Sequence, residues 1–291
     1  MKLYTVETEY FKLDGGAMFG VVPKVIWNKL NPADENNLCS WAMRCLLIED
    51  GNQLILIDNG VGNKQSEKFF SHYHLHGEHT LNSSLKKLGF SKDDITDVIL
   101  THLHFDHCGG SIDKVGDKLV PAFKNATYWS NEAHWQWAVH PNDREKASFL
   151  KENILPIQES GQLKFVQRNG VMANERLEKV VSEIHPNISF RLVNGHTEAM
   201  MLPQIEYKGK TIVYMADLLP SVYHIPMPYV MGYDMFPMTT LQEKKYFLHE
   251  AITENYILFF EHDPVNECCT LQQTEKGIRE KGVFSLQELA N

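Results

Sequence analysis

The sequence has no Cys-x-x-Cys pair, no block of basic residues, and no apolar run near the roughly 20 residues a membrane helix needs. Each absence removes a class. The five cysteines (Cys39, Cys45, Cys108, Cys268 and Cys269) are odd in number and irregularly spaced, and the vicinal pair could bridge only through a strained ring. A disulfide framework is not expected; reduced thiols in a cytoplasmic protein are. Lys and Arg number 28 against 37 Asp and Glu, a formal net charge of −9. Without a local basic stripe, that balance repels phosphate backbones, so nucleic acid is not an expected partner. The start, MKLYTVETEYFKLDGG, alternates polar and apolar residues like a strand and does not read as a secretory leader. Gly and Pro are spread thinly, and neither a repeat nor a low-complexity tract appears. With 43% apolar residues the chain can bury a large core, and one domain over residues 1–291 is expected.

What is present is a succession of short apolar strands with helical stretches between them. Leu3–Leu13 reads as one or two edge strands, followed by a Gly-rich loop over Asp14–Gly20 and an apolar run, Val21–Trp27, broken by Pro23. A hairpin is expected from Trp41 to Ile57, turning at Asp50-Gly51. Thr80 can cap a helix that Gly89 ends. A strand at Asp97–Leu100 precedes another near Ala126–Trp129, then helices over Glu132–Val139 and Asp143–Leu155. Ile188–Val193, a hairpin about Lys208-Gly209-Lys210, a helix over Thr240–Thr253 and a strand at Tyr256–Phe260 complete the pattern. Buried-looking strands repeatedly end in polar residues of metal-binding type: Leu100 before His102, Val193 before His196, Met215 before Asp217, Phe260 before His262. Strand ends in α/β layers open onto a rim where loops can build a site.

The densest chemistry lies in Thr101-His102-Leu103-His104-Phe105-Asp106-His107. Alternation along an extended backbone puts His102 and His104 on one face, within reach of one metal. A turn at Phe105–Asp106 then offers Asp106 and His107 toward a second position. Imidazole nitrogen and carboxylate oxygen suit zinc and similar divalent ions. Gly109-Gly110 permits a sharp backbone exit beyond them.

The pattern His-x-His-x-Asp-His after an apolar strand resembles the metallo-β-lactamase superfamily. His196 in Gly-His-Thr, Asp217 in Met-Ala-Asp, His262 in Glu-His-Asp and the turn Asp58-Asn59-Gly60 follow in the family's order. The resemblance implies an α/β fold, the αββα sandwich of two mixed sheets with helices outside. It also implies two divalent ions, most simply Zn. One would be held by His102, His104 and His196 and the other by Asp106, His107 and His262, with Asp217 bridging and a hydroxide shared between them. Redox members carry Glu where His104 stands, so hydrolysis is the reaction implied.

Within the superfamily the chain is most similar to lactonases that open N-acyl-homoserine lactones, the quorum-quenching branch. The residues behind this are Asp14–Lys24 with Trp27, and Ala216-Asp217-Leu218-Leu219-Pro220. Phe19, Val22, Ile26 and Trp27 are candidates for an apolar wall against the acyl chain, the alternative being that they pack a loop on the core. Asp106 is the candidate proton shuttle. A phenol near the bridging Asp often assists the oxyanion. Here Pro220 stands where it is expected, leaving Tyr223, His224 and Tyr233 as candidates. The expected partner is a small lactone or ester, and a homodimer is the one macromolecular assembly carried forward. The alternatives are phosphotriester or other ester hydrolysis on the same site, glyoxalase-type thioester hydrolysis, and a metal-stabilised binding protein without turnover.

Other features invite a site but read more simply as structure. His72, His74, His76 and His79 form a dense run without a flanking strand end. Trp129, Trp135 and Trp137 fit helix packing, and Cys108 a buried inert thiol. Asp263 either supports the site or starts the turn at Pro264.

Overall fold

In the computed structural model, which describes residues 1–167 and 177–289, the expected first hairpin forms. Strands Cys45–Asp50 and Gln53–Ile57 pair antiparallel, with Asp50 opposite Gln53, so Gly51-Asn52 is the turn. Gly51 adopts φ 58°, a left-handed conformation that costs glycine little. The chain divides into two compact units, one of residues 1–10 and 43–167 and the other of residues 11–42 and 177–289.

The first unit is built on a six-stranded sheet in the order Lys2–Val6, Cys45–Asp50, Gln53–Ile57, Asp97–Ile99, Thr127–Ser130, Leu163–Phe165. The first two pairings are antiparallel and the last three parallel. Parallel strands are buried on both faces, which explains why Leu54–Ile57 and Val98–Leu100 are uniformly apolar and buried. Leu47, Leu56, Val98, Leu100, Tyr128, Trp135 and Ile154 belong to one core. Helix Leu81–Lys87 starts as expected: Thr80 and Ser83 form a reciprocal cap, and Gly89 follows at φ 88°. Because Gln53–Ile57 and Asp97–Ile99 are parallel neighbours, Asp58 and Thr101–His102 leave the sheet at the same edge.

The second unit carries a seven-stranded sheet in the order Glu178–Val181, Ile188–Val193, Met200–Tyr207, Lys210–Tyr214, Ile257–Phe259, Cys268–Thr274, Gly277–Phe284. Only Lys210–Tyr214 and Ile257–Phe259 pair in parallel, joined through helix Pro237–Thr253. Ile188–Val193, Lys210–Tyr214 and Ile257–Phe259 therefore run the same way. Their C-terminal ends deliver His196, Asp217 and His262 to one edge of the sheet. The rule that strands end in metal-type residues thus has a topological cause.

One local expectation is resolved and two change. Leu3–Leu13 becomes two strands in different sheets, Lys2–Val6 and Phe11–Asp14, the latter paired with Leu38–Trp41. The Gly-rich loop is a short helix, Gly15–Phe19, because Asp14 Oδ1 accepts from the Ala17 N–H at 2.8 Å. The helix expected over Asp143–Leu155 runs instead from Lys151 to Glu159. Asn142 delays it: its Oδ1 accepts from the N–H of Arg144 and of Glu145, holding that stretch in a turn.

Candidate metal centre

In the first unit, His102, His104, Asp106 and His107 are all buried on the segment that follows strand Asp97–Ile99. Leu103 joins the hydrophobic core, while Phe105, also buried, packs on Phe69 and Tyr73 instead, and Phe105–Cys108 closes as a helical turn. Each imidazole has one nitrogen committed within the unit. His102 Nδ1 lies 3.1 Å from Thr101 Oγ1, whose hydroxyl donates to Asp58 Oδ2 at 2.6 Å. His104 Nε2 donates to Glu145 Oε1 at 3.0 Å and His107 Nδ1 to Asp58 Oδ2 at 3.1 Å. Carboxylates placed this way fix the tautomer and raise ligand basicity. The lone pairs then sit on His102 Nε2 and His104 Nδ1, only 3.0 Å apart. Two acceptors at that distance repel unless a cation lies with them, so the donor set fits a metal. His107 Nε2 faces Asp106 Oδ2 at 3.8 Å.

In the second unit, Asp217 presents one carboxylate oxygen to each of two imidazoles. Its Oδ2 is 3.0 Å from His196 Nε2, and its Oδ1 is 3.0 Å from His262 Nε2. The far nitrogens are again committed, His196 Nδ1 to Asp234 Oδ1 at 2.9 Å and His262 Nδ1 to the Ala42 carbonyl at 2.7 Å. Burial alone would push His196 down, but Asp217 and Asp234 outweigh it and raise its pKa to about 10. The place demands positive charge, which a divalent ion supplies as well as a proton does. The backbone is shaped for it. Ala216, just before Asp217, holds φ 40°, and Asp58 holds φ 55°, conformations that non-glycine residues adopt at a cost of about 1 kcal/mol or more. Glu243 accepts from the N–H groups of Asn194 (2.7 Å) and Gly195 (2.9 Å), clamping the approach to His196. Burial raises its carboxyl to about 7.

The glycines beyond the first set do a different job from the one expected. Gly109 has φ −61°, an ordinary helical value. A Cβ on Gly109 would stand 2.1 Å from the Val61 carbonyl oxygen and one on Gly110 2.2 Å from that of Asn59. They are small so that two backbones can touch.

The other candidates are distributed unevenly. Phe19 and Trp27 are fully buried and stacked, centroids 5.3 Å apart, and Val22 is nearly buried while Ile26 is half exposed. His224 stacks on Phe19 at 5.0 Å with the rings parallel within 1°. Its Nδ1 meets Ser221 Oγ at 2.7 Å and its Nε2 donates to the Met18 carbonyl at 2.9 Å. Burial pushes this ring down to about 3, so it is neutral packing. Tyr223 is half-buried beside Asp263 and Asn266, and burial raises its phenol. Asp263 accepts from the N–H of Val222, Val265 and Asn266, so it builds turns. Tyr233 is exposed and adjoins Asp234. His72, His74, His76 and His79 are all exposed and, among the described residues, enter no group able to hold a metal. Trp129 and Trp135 are core residues, while Trp137 Nε1 donates to Glu145 Oε2 at 2.6 Å. All five cysteines are free and buried, and burial lifts Cys108 to about 12.

Sequence reasoning missed Asp58, Glu145 and Asp234 as partners of the histidines, and it missed an aromatic group on the ligand loop. Phe105 packs edge-on to Phe69 at 5.3 Å and against Tyr73 at 4.7 Å. Helix Glu67–Tyr73, which carries both, buries none of its residues. Tyr73 has its phenol raised to about 12 by burial and by the Asp106 carboxylate.

A sequence model of the metallo-beta-lactamase superfamily matches residues 44–251. The chain belongs to the metallo-beta-lactamase superfamily. It is accordingly a hydrolytic enzyme with that superfamily's mixed α/β fold, as its sequence implied. The match takes in six of the seven candidate ligands, His262 lying beyond its end. Among metallo-beta-lactamase relatives, an N-acyl homoserine lactonase of Bacillus thuringiensis is 24% identical over 272 residues, 89% of this chain and 94% of that one. A probable metal-dependent hydrolase from Staphylococcus aureus superposes with TM-score 0.84 at 27% identity, over 97% of this chain and 96% of that one. A dizinc quorum-quenching lactonase, in complex with a product, N-hexanoyl-L-homoserine, superposes with TM-score 0.77 at 23% identity, over 98% of this chain and 95% of that one. Among the described residues no helix is long and apolar enough to cross a membrane.

Proposed function

We propose that this enzyme opens the lactone ring of N-acyl-homoserine lactones on two divalent ions, most simply zinc. The observation that carries the reading is Asp217, whose two oxygens each address a different imidazole, an arrangement that would let one carboxylate serve two ions. His102, His104 and His196 would hold one ion and Asp106, His107 and His262 the other. When bound, such a pair lowers the pKa of water toward neutrality and stabilises both attacking and leaving oxygens. The relatives named as lactonases support this substrate class.

The chain's own residues do the rest. Asp58, Glu145, Asp234 and the Ala42 carbonyl hold the imidazoles in one tautomer each, so no reorganisation is needed during reaction. Ring opening adds the elements of water across the acyl C–O bond: the carbonyl carbon gains oxygen and the leaving alkoxide gains a proton. Asp106 is the residue we assign to carry that proton. Phe69 and Tyr73, packed on the buried Phe105, offer apolar, partly exposed ring surface near Asp106, and we assign them the acyl chain in place of Phe19 and Trp27, which are spent in the core. Free, buried cysteines suit a reducing, cytoplasmic setting. The test is kcat/KM across a lactone series of increasing acyl length beside a phosphotriester series. Efficient lactone turnover that rises with chain length is expected; negligible lactone turnover beside efficient phosphotriester cleavage would overturn the reading.

A further inference from the structure

The chain holds 28 Lys and Arg against 37 Asp and Glu, so a place where bases gather without acids calls for a cause. One lies in the second unit. Helix Pro237–Thr253, the loop at residues 225–228 and the turn of the last hairpin border a cleft of about 380 Å³, a size within the roughly 300–1,000 Å³ of small-molecule sites. The deeper part of its lining is apolar: Ile225 and Leu248 are buried, Met227 and Ile278 half-buried. The more exposed part is Lys245, His249, Lys276 and Arg279, and among the described residues no carboxylate lines the cleft. Lys245 and His249 are one turn apart and share a face of the helix, while Lys276 and Arg279 come from the hairpin, so two separate elements bring the basic groups together.

These cations are not neutralised. Among the described residues Lys245 and Lys276 make no ion pair, and the Arg279 guanidinium donates only to the Ile278 carbonyl, through Nη1 at 2.6 Å. Glu250, next to His249, is instead engaged by Arg191 and by the Tyr256 hydroxyl. Both walls are stiff. Lys244, buried beside Lys245, pins the loop by donating to the carbonyls of His224 (2.6 Å), Pro226 (2.9 Å) and Tyr229 (2.8 Å). In the hairpin turn Thr274 Oγ1 donates to the Gly277 carbonyl at 2.6 Å and accepts from the Lys276 N–H at 3.2 Å. That turn is remote from the candidate ligands. Cys268 pairs with Phe259, near the strand end that delivers His262, and strand Cys268–Thr274 runs away from that end toward the turn.

We propose that this cleft is a second ligand site, which takes a small organic carboxylate with an apolar tail, of the medium-chain fatty acid type. The carboxylate accepts from Arg279, whose planar fork matches it, and from the lysine ammonium groups. The tail covers Ile225, Leu248 and Ile278 and takes their apolar surface out of water. A bare inorganic anion would leave that surface wet, and an uncharged lipid would leave the cations without a counterion, so the lining selects against both. Because the loop and the turn are already pinned, little conformational entropy is lost on binding.

The test is titration calorimetry of sodium octanoate into the full chain, independent of lactone turnover. Saturable binding is expected, with Lys245→Glu and Arg279→Glu each weakening it by at least roughly tenfold. Lys179→Glu, at an exposed lysine on strand Glu178–Val181 of the same unit, should leave it unchanged. Octanol, a tail without the charge, and inorganic phosphate, a charge without the tail, should each bind at least roughly tenfold more weakly than octanoate. Circular dichroism identifies any variant that fails to fold, and Lys276→Glu, at the exposed turn, then takes its place. Absence of saturable octanoate binding, or binding that no charge reversal in the cleft weakens, would overturn the proposal. So would octanol or phosphate binding as tightly as octanoate.

Discussion

The two units carry their candidate metal ligands in opposite ways. In the first, four candidates sit within six residues on one loop, and the carboxylates that orient the histidines, Asp58 and Glu145, come from far along the chain. In the second, three candidates are spread over His196, Asp217 and His262, each at the end of a separate strand running the same way. A local cluster needs little topology, whereas a dispersed set depends on strand direction to reach one edge; both rely on distant partners, Asp58 and Glu145 or Asp234 and the Ala42 carbonyl, to orient their imidazoles. The aromatic groups differ too. Those of the first unit, Phe69 and Tyr73, lie on a helix with no buried residue, while Phe19, Trp27 and His224 of the second are a stacked, buried core.

The largest expected effect strikes a ligand in either unit. Asp217→Asn and His107→Ala should each lose one or both ions and at least roughly a thousandfold in turnover, about 4 kcal/mol. Elemental analysis with the activity assay checks this, and full occupancy with full activity in both variants would remove the ligand assignment. Next come the orienting carboxylates. Asp58→Asn and Asp234→Asn should cost about 10–100-fold in metal affinity or activity. If the contrast between units is right, Asp58→Asn is the worse, because its carboxylate serves His107 and also Thr101, which meets His102.

The aromatic contrast predicts a division of labour. Phe69→Ala and Tyr73→Ala should flatten the dependence of kcat/KM on acyl length, each lost methylene contact being worth about 0.8 kcal/mol, with stability little changed. Trp27→Ala should instead cost about 3–5 kcal/mol of stability. Denaturant melts beside the lactone series separate the two. A smaller effect concerns pH. His224 is held at about 3 in the fold against an ordinary value of 6.5. The unfolded chain therefore takes up a proton first, and stability is lost as pH falls from 6.5 toward 3. His224→Gln should make that acid loss shallower in melts recorded across this window. The smallest effect is expected where histidines are merely numerous: replacing His72, His74 and His76 by Gln together should keep metal content and turnover within a few-fold, about 1 kcal/mol.

The ligand loop was legible because its chemistry is local: alternation and one turn are enough to aim four side chains. The three dispersed candidates were named through the family's order of motifs, and strand direction explains afterwards why they share an edge. Orienting residues left no such mark. Glu145 lies where a helix was expected, and only the Asn142 turn brings it to His104. Phe19 and Trp27 were apolar in the right place for a wall, but apolar character alone does not separate a wall from a core. The last hairpin, Cys268–Thr274 with Gly277–Phe284, gave no periodic signal because its second strand buries none of its side chains.

The central claim is a two-metal lactonase, and one measurement on the unmodified chain meets it directly: metal content by elemental analysis alongside kcat/KM for N-acyl-homoserine lactones. The account predicts two divalent ions per chain and lactone turnover that disappears when a chelator strips the ions and returns when zinc is restored. Lactone turnover that survives complete removal of metal, or a fully loaded two-metal protein inert toward every lactone, would contradict it.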